Sequence, residues 1–123
     1  MITCAMCDDE LPFAEQLRSL VMAYAKKRRV ELQAETFASA EELLEEIENG
    51  AGFEILFLDI EMRKMDGIEL GKKLRESSYQ TLIIYVSGYD QYMRQLFEAE
   101  PFRFLSKPLK QEELENVLDK AFE

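Results

Sequence analysis

The sequence predicts an α/β domain built on a doubly wound, five-stranded parallel sheet, and three observations carry that prediction. Short apolar runs alternate from end to end with longer segments whose apolar residues recur every three or four positions. The densest run, Phe53, Ile55, Leu56, Phe57 and Leu58, suits a central parallel strand covered by helices on both faces. Polar residues stand just after the runs: Asp8 and Asp9, Asp59, Ser87 and Lys107. In open α/β sheets, the carboxyl ends of the strands are where ligands and chemistry are placed.

Residues 2–7 read as the first strand, stopped by Asp8-Asp9-Glu10. From about Pro12 a helix follows, with Phe13, Leu17, Leu20, Val21 and Tyr24 on one stripe. It ends at Lys26-Lys27-Arg28-Arg29, a basic run that reads as a solvated helix end whose cations meet the negative end of the dipole. Residues 30–37 alternate, with Val30, Leu32 and Ala34 against Glu31, Gln33 and Glu35, as an edge strand does. Ser39-Ala40-Glu41-Glu42 has the form of a capping box, in which the Ser39 hydroxyl and the Glu42 carboxylate satisfy free N–H groups. The helix it opens carries Leu43, Leu44 and Ile47 and stops at Asn49-Gly50.

After the central strand, residues 60–65 are loop-like, and Asp66-Gly67 turns into a helix bearing Ile68, Leu70 and Leu74. Residues 81–86 form a β-branched fourth strand ending at Ser87-Gly88. A helix is expected over residues 89–99, with Tyr92, Met93, Leu96 and Phe97 on one side. A short fifth strand follows over 102–105, then Ser106-Lys107-Pro108. The last helix, from about Gln111, puts Leu114, Val117, Leu118 and Ala121 at core spacing. Helical crossovers between successive strands are right-handed and give a parallel sheet; order 2-1-3-4-5 suits five strands and makes the first and third neighbours at the reversal point.

With 123 residues, 47% of them hydrophobic, the chain has material for one compact core, and a single domain over residues 1–123 is expected. A formal charge of −10 disfavours direct nucleic-acid contact by this domain. No run reaches the length of a membrane span and no secretory layout opens the chain, so the expectation is a cytoplasmic protein without membrane contact. Cys4 and Cys7 have C-x-x-C spacing, but along a strand of about 3.3 Å per residue they lie roughly 10 Å apart on opposite faces, too far for a disulfide. Without histidine or a second cysteine pair, zinc lacks its usual remaining ligands, and free buried thiols are expected.

The predicted order gathers Asp8, Asp9, Asp59, Ser87 and Lys107 in one cleft. Three carboxylates there repel by several kcal/mol unless a cation or a retained proton offsets them. A hard, oxygen-seeking divalent ion suits that set. With a lysine for charge and a hydroxyl for hydrogen bonding, the group meets the needs of phosphoryl transfer to Asp59 as nucleophile.

These residues resemble the motifs of response-regulator receiver domains. The matching stretches are Cys7-Asp8-Asp9-Glu10 after the first strand, Leu58-Asp59-Ile60-Glu61-Met62 with Met65-Asp66-Gly67 after the third, Val86-Ser87-Gly88 after the fourth, and Ser106-Lys107-Pro108 after the fifth. The resemblance spans the chain and implies a flavodoxin-like fold. It further implies that Asp59 accepts phosphate from a sensor histidine kinase or a small donor such as acetyl phosphate. Asp8 and Asp9 would hold Mg²⁺, or Mn²⁺ in its place, with Asp59 and the Glu61 backbone carbonyl completing the site. Ser87 and Lys107 would contact the phosphoryl oxygens, the Lys107–Pro108 bond would be cis, and Phe104 falls at an aromatic switch position.

Such a domain is regulatory rather than an enzyme, catalysing only its own phosphorylation and dephosphorylation. Output is implied through the face of the fourth helix, fifth strand and fifth helix, to an output domain or partner, with a phosphorylation-dependent homodimer as a further expectation. The sequence also departs from the family pattern: Arg63 stands where proline is common, Phe104 lacks the hydroxyl of the more usual tyrosine, and Glu61 and Tyr89 occupy positions that tune phosphate lifetime. Cys7-Asp8-Asp9-Glu10, Phe97-Glu98-Ala99 and the run from Phe102 to Pro108 resemble the LytTR transcription-regulator class, in which a DNA-binding domain follows. That output domain is expected to be absent from residues 1–123. Phosphorylation-independent interaction through the same fold is the alternative. A dehalogenase-type phosphatase is disfavoured because Glu61 replaces its second aspartate, and a flavodoxin-like cofactor binder because Asp8-Asp9-Glu10 replaces a glycine-rich phosphate loop.

Overall fold

The computed structural model describes residues 1–77, 79–88 and 100–123. The helix expected over residues 89–99 lies outside the described residues. In chain order the elements are β1 (Ile2–Cys7), α1 (Leu11–Arg28), β2 (Leu32–Phe37), α2 (Ala40–Glu48), β3 (Ile55–Asp59), α3 (Gly67–Glu76), β4 (Leu82–Ser87), β5 (Arg103–Ser106) and a C-terminal helix (Gln111–Ala121). The five strands are all parallel in the order β2-β1-β3-β4-β5, as predicted.

Strand periodicity splits the core into two layers. Ala5, Cys7, Leu56, Leu58, Ile83 and Tyr85 face one side, where Leu43 of α2 and Ile68, Leu70 and Leu74 of α3 cover them. Cys4, Met6, Ile55, Phe57, Ile84 and Val86 face the other, under Leu17, Val21 and Tyr24 of α1 and Leu114 and Leu118 of the C-terminal helix. Every residue of β3 is buried, which is why its sequence shows no alternation. β2 lies at the sheet edge, and its Gln33 and Glu35 are exposed. Cys4 and Cys7 are free, buried and on opposite layers. Burial, reinforced by Glu54, pushes the Cys4 thiol up to about 12; burial and the nearby Asp8 and Asp59 push Cys7 up as well, so both stay protonated and unreactive.

Some boundaries differ from the sequence reading. β3 starts at Ile55, two residues later than the apolar run: the Phe53 amide takes its hydrogen bond from outside the sheet, donating to the Tyr79 hydroxyl at 2.6 Å, while its ring meets Phe37 edge-on at 5.8 Å. At α2 the Glu42 amide donates to Ser39 Oγ at 3.1 Å as expected, but Glu42 reaches back one residue further, accepting from the Ala38 amide at 3.2 Å. The basic end of α1 is tied across to the C-terminal helix: Arg28 pairs with Asp119 at 3.1 Å, Lys27 with Glu115 at 3.2 Å, and the Tyr24 hydroxyl donates to Asp119 at 2.6 Å. Tyr24 is buried, whereas the two ion pairs lie at the surface, where screening by solvent leaves them little net effect on stability. Among the described residues, no helix is long and apolar enough to cross a membrane.

The start of α3 is pressed against the end of β3. Asp66 caps the helix by accepting from the Glu69 amide at 2.8 Å, and the Gly67 amide donates to the Ile60 carbonyl at 2.9 Å. A Cβ on Gly67 would stand 2.1 Å from the Asp59 carbonyl oxygen, so only glycine fits. The buried Tyr85 hydroxyl donates to the Gly67 carbonyl at 2.9 Å from the neighbouring strand. Gly67→Ala is therefore expected to lower unfolding free energy by about 2–4 kcal/mol in urea titrations. Gly52→Ala, whose Cβ would meet nothing within 4 Å, should stay within about 0.5 kcal/mol of the parent.

Candidate functional site

Strand register builds the site. Cys7 pairs with Leu58, so the residues that follow in each strand, Asp8 and Asp59, emerge side by side at the reversal point. Asp59 pairs with Val86, placing Ser87 one step beyond it, and Ser87 pairs with Ser106, so that Lys107 leaves β5 at the same edge. The Lys107 amide donates to the Ser87 carbonyl at 3.0 Å, and the Lys107–Pro108 peptide bond is cis, as the resemblance implied.

Asp8 is only 3% exposed, Asp59 6% and Ser87 1%. Carboxylate oxygens of Asp8, Asp9 and Asp59 lie within 4.8 Å of one another. The Lys107 ammonium sits among them, donating to Asp8 Oδ2 at 3.0 Å, 3.6 Å from Asp59 Oδ1 and 4.0 Å from Glu10 Oε1. The second oxygen of Asp8 accepts from the Glu10 amide at 2.8 Å, which fixes the carboxylate's orientation. An open cleft of about 370 Å³ lies over the cluster, lined by Glu10, Asp59, Glu61, Gly88 and Lys107.

Burial, with the negative charge of Asp8, raises the Asp59 carboxyl to about 7 against the opposing pull of Lys107. Burial also draws the Lys107 ammonium down, but its hydrogen bond to Asp8 and the charges of Asp59, Asp8 and Glu10 outweigh that, and it stays a firmly held cation. One ammonium thus faces three carboxylates. The remaining negative charge and the all-oxygen donor set fit a hard divalent cation, which Asp8, Asp9 and Asp59 could hold.

Phe104 is half-buried beside Tyr85, its partner in register, and adjoins the layer under α2 and α3. Glu61 and Arg63 are exposed on the loop after β3, and Tyr89 lies outside the described residues. Two contributors escaped the sequence reading. Phe13, assigned only to the core stripe of α1, presents its ring 4.2 Å below the Lys107 ammonium, a cation–π contact that helps hold the lysine over the cluster. Glu10 adds a wall to the cleft. Nothing local in the sequence marks Phe13, which meets Lys107 from the other end of the chain, whereas Glu10 closes the acidic run Asp8-Asp9-Glu10 after the first strand and reads only as part of that run.

Residues 5–119 match the family described as the response regulator receiver domain. An uncharacterized response regulatory protein of Vibrio cholerae is 29% identical over 118 residues, covering 96% of this chain and 44% of that protein. Sensory transduction protein LytT of Bacillus subtilis is 24% identical over 120 residues, covering 98% of this chain and 48% of that protein. The chain spans about half the length of the curated relatives it matches. Among solved structures, the response regulatory domain of protein mrkE from Klebsiella pneumoniae shares the fold with a TM-score of 0.87 at 19% identity, covering 98% of this chain and 95% of that one. With its five-stranded parallel sheet covered on both faces, its acidic cluster at the β1/β3 reversal and a family match over nearly its whole length, the chain belongs to the response regulator receiver domains of two-component systems, with relatives among the LytT and LytR regulators.

Proposed function

We propose that this chain is a phosphoacceptor switch in which Asp59 takes a phosphoryl group from a sensor histidine kinase or from acetyl phosphate. The observation that carries the reading is the placement of Asp59: buried at the tip of β3, within reach of two further carboxylates, with the Lys107 ammonium 3.6 Å away. A carboxylate oxygen of Asp59 attacks phosphorus, the bond to the donor's oxygen or imidazole nitrogen breaks, and the leaving group departs with that electron pair. An acyl phosphate remains on Asp59.

Asp8, Asp9 and Asp59 would hold Mg²⁺, or Mn²⁺ in its place, together with the Glu61 backbone carbonyl. When bound, the cation supplies neutralisation of phosphoryl charge and a template for its oxygens. The chain's own residues do the rest. Lys107, held by Asp8 and Phe13, offers its ammonium to a phosphoryl oxygen, and Ser87 offers its hydroxyl from the end of β4. Burial excludes bulk water from Asp59, which strengthens each of these electrostatic contacts.

The domain acts as a regulator, catalysing only its own phosphorylation and dephosphorylation. Its output runs through the face that β5 and the C-terminal helix contribute to, the helix expected beside them lying outside the described residues, to an output domain or partner protein, with transcription as the controlled process and a phosphorylation-dependent homodimer as one form of the signal. Phe104 serves as the switch residue: Ser87 moves toward the phosphoryl group and the ring turns into the space vacated. Residues 1–123 form one receiver domain, cytoplasmic, with the DNA-binding function in a separate output segment.

Incubation with Mg²⁺ and acetyl phosphate should add about 80 Da, one phosphoryl group, to the intact mass. Asp59→Asn and chelation of the metal should each abolish the adduct, and Lys107→Ala should slow labelling at least about tenfold. Absence of an adduct on the parent protein would identify a phosphorylation-independent interaction module instead.

Asp59 also makes stability depend on pH. Its folded carboxyl is raised to about 7, so the metal-free protein gains stability below the ordinary carboxylate range and loses it as pH rises through about 7. Thermal melts in chelator should fall between pH 5 and pH 8 by an amount equivalent to about 2 kcal/mol, Asp59→Asn should flatten that slope, and saturating Mg²⁺ should recover the loss at pH 8.

A further inference from the structure

We propose that Glu41 is a positioning residue for the Asp59 site, holding the loop of residues 60–66 against α2 and so fixing one wall of the cleft. The inference rests on the phosphoacceptor reading and concerns a residue that otherwise only belongs to a helix cap.

The loop is a shared wall. Glu61 lines the cleft with Asp59 and Lys107, and lines a second one with Asp9 and Asp66. Its ends are anchored by the buried Ile60 and Met62 and by the Asp66 cap of α3. Its middle is not. Arg63 and Lys64 are exposed, and Lys64 adopts a left-handed φ of 61°, a conformation disfavoured for a residue with a Cβ.

The compensating contact comes from 24 residues away: the Met65 amide, next to Lys64, donates to Glu41 Oε2 at 3.1 Å. Glu41 is well suited to accept it. Its own amide, the Met65 amide and the Lys64 charge hold its carboxyl below the usual carboxylate range, so it is an ionised acceptor. It projects from the first turn of α2, which Ser39 and Glu42 cap and buried Ala40 and Leu43 fasten to the core. Asp9, Ser39, Glu41, Arg63 and Lys64 line one groove, so the clamp sits where the loops after β1, β2 and β3 meet.

Backbone-amide NMR of the full chain, with and without Mg²⁺, tests this on four variants: Glu41→Ala, Glu41→Gln, Lys64→Gly, and Glu41→Ala combined with Lys64→Gly. Loss of one charge-assisted hydrogen bond from the loop should cost Glu41→Ala its Met65 exchange protection in metal-free protein and weaken Mg²⁺ binding, read at the Asp9 and Glu61 amides, about tenfold. Labelling by acetyl phosphate should slow in parallel. Glu41→Gln, whose amide oxygen still accepts, should retain most of both. Adding Lys64→Gly to Glu41→Ala should restore Mg²⁺ binding, because glycine adopts the left-handed turn unaided. Wild-type Mg²⁺ affinity and labelling in Glu41→Ala, or failure of both rescues, would overturn the inference while leaving Asp59 as phosphoacceptor. A parent protein that takes neither Mg²⁺ nor phosphate would overturn both, and Met65 protection unchanged by Glu41→Ala would overturn the clamp itself.

Discussion

The crowding of three carboxylates around a single ammonium at the β1/β3 reversal is the constraint on which the rest of the structure turns. Register imposes it: once Cys7 lies opposite Leu58, the next residue of each strand must be neighbours, and here both are aspartates. Lys107 answers part of the repulsion at 3.0 Å from Asp8 and 3.6 Å from Asp59, but one cation cannot balance three anions. Asp59 carries the imbalance, because burial and Asp8 together outweigh Lys107. Such residual repulsion costs stability, and a positive ion held by these carboxylates would relieve it.

Holding such a cluster requires a scaffold that does not yield. Both faces of β3 are sealed, one by α2 and α3 and the other by α1 and the C-terminal helix, so the backbone beneath Asp59 has no freedom to relax the repulsion. The approach of α3 is equally tight: Gly67 lies against the Asp59 carbonyl, and Tyr85 holds the Gly67 carbonyl from β4. Arg75 fastens the far end of the same layer, donating to the carbonyls of Thr81 and Glu100 at 3.0 and 2.9 Å. The ion pairs between α1 and the C-terminal helix add little to this rigidity, since they are largely exposed, but they set where the basic end of α1 lies.

The loops then do what the scaffold cannot. Among the described residues, Asp59 and Ser87 stand at the ends of β3 and β4 while the loops after β1 and β5 bring Asp8, Asp9 and Lys107, and different devices hold them: the Glu10 amide on Asp8, the Asp66 cap and Glu41 for the loop after β3, and the Lys107 amide on the Ser87 carbonyl for the end of β5. Family membership accords with that division of labour, in which a constant α/β frame presents a small set of charged side chains at one edge. Since the chain spans about half the length of relatives such as LytT, this frame corresponds to one part of those regulators.

By itself, the sequence determined the fold and the principal polar residues of the site. Apolar periodicity distinguished strands from helices, the unbroken run before Asp59 marked a strand buried on both faces, and helical connections dictated a parallel sheet whose strand ends share one edge. These are legible because they are local patterns or follow from chirality. The tertiary structure alone decided what surrounds the charges. Phe13 beneath Lys107, Glu41 on the Met65 amide, Arg28 on Asp119 and Tyr85 on Gly67 join residues far apart in the chain, and nothing in the neighbourhood of either partner announces the other. The elevation of the Asp59 carboxyl belongs to the same class, since it arises from burial and from Asp8, 51 positions earlier, and exists only once β1 and β3 lie side by side.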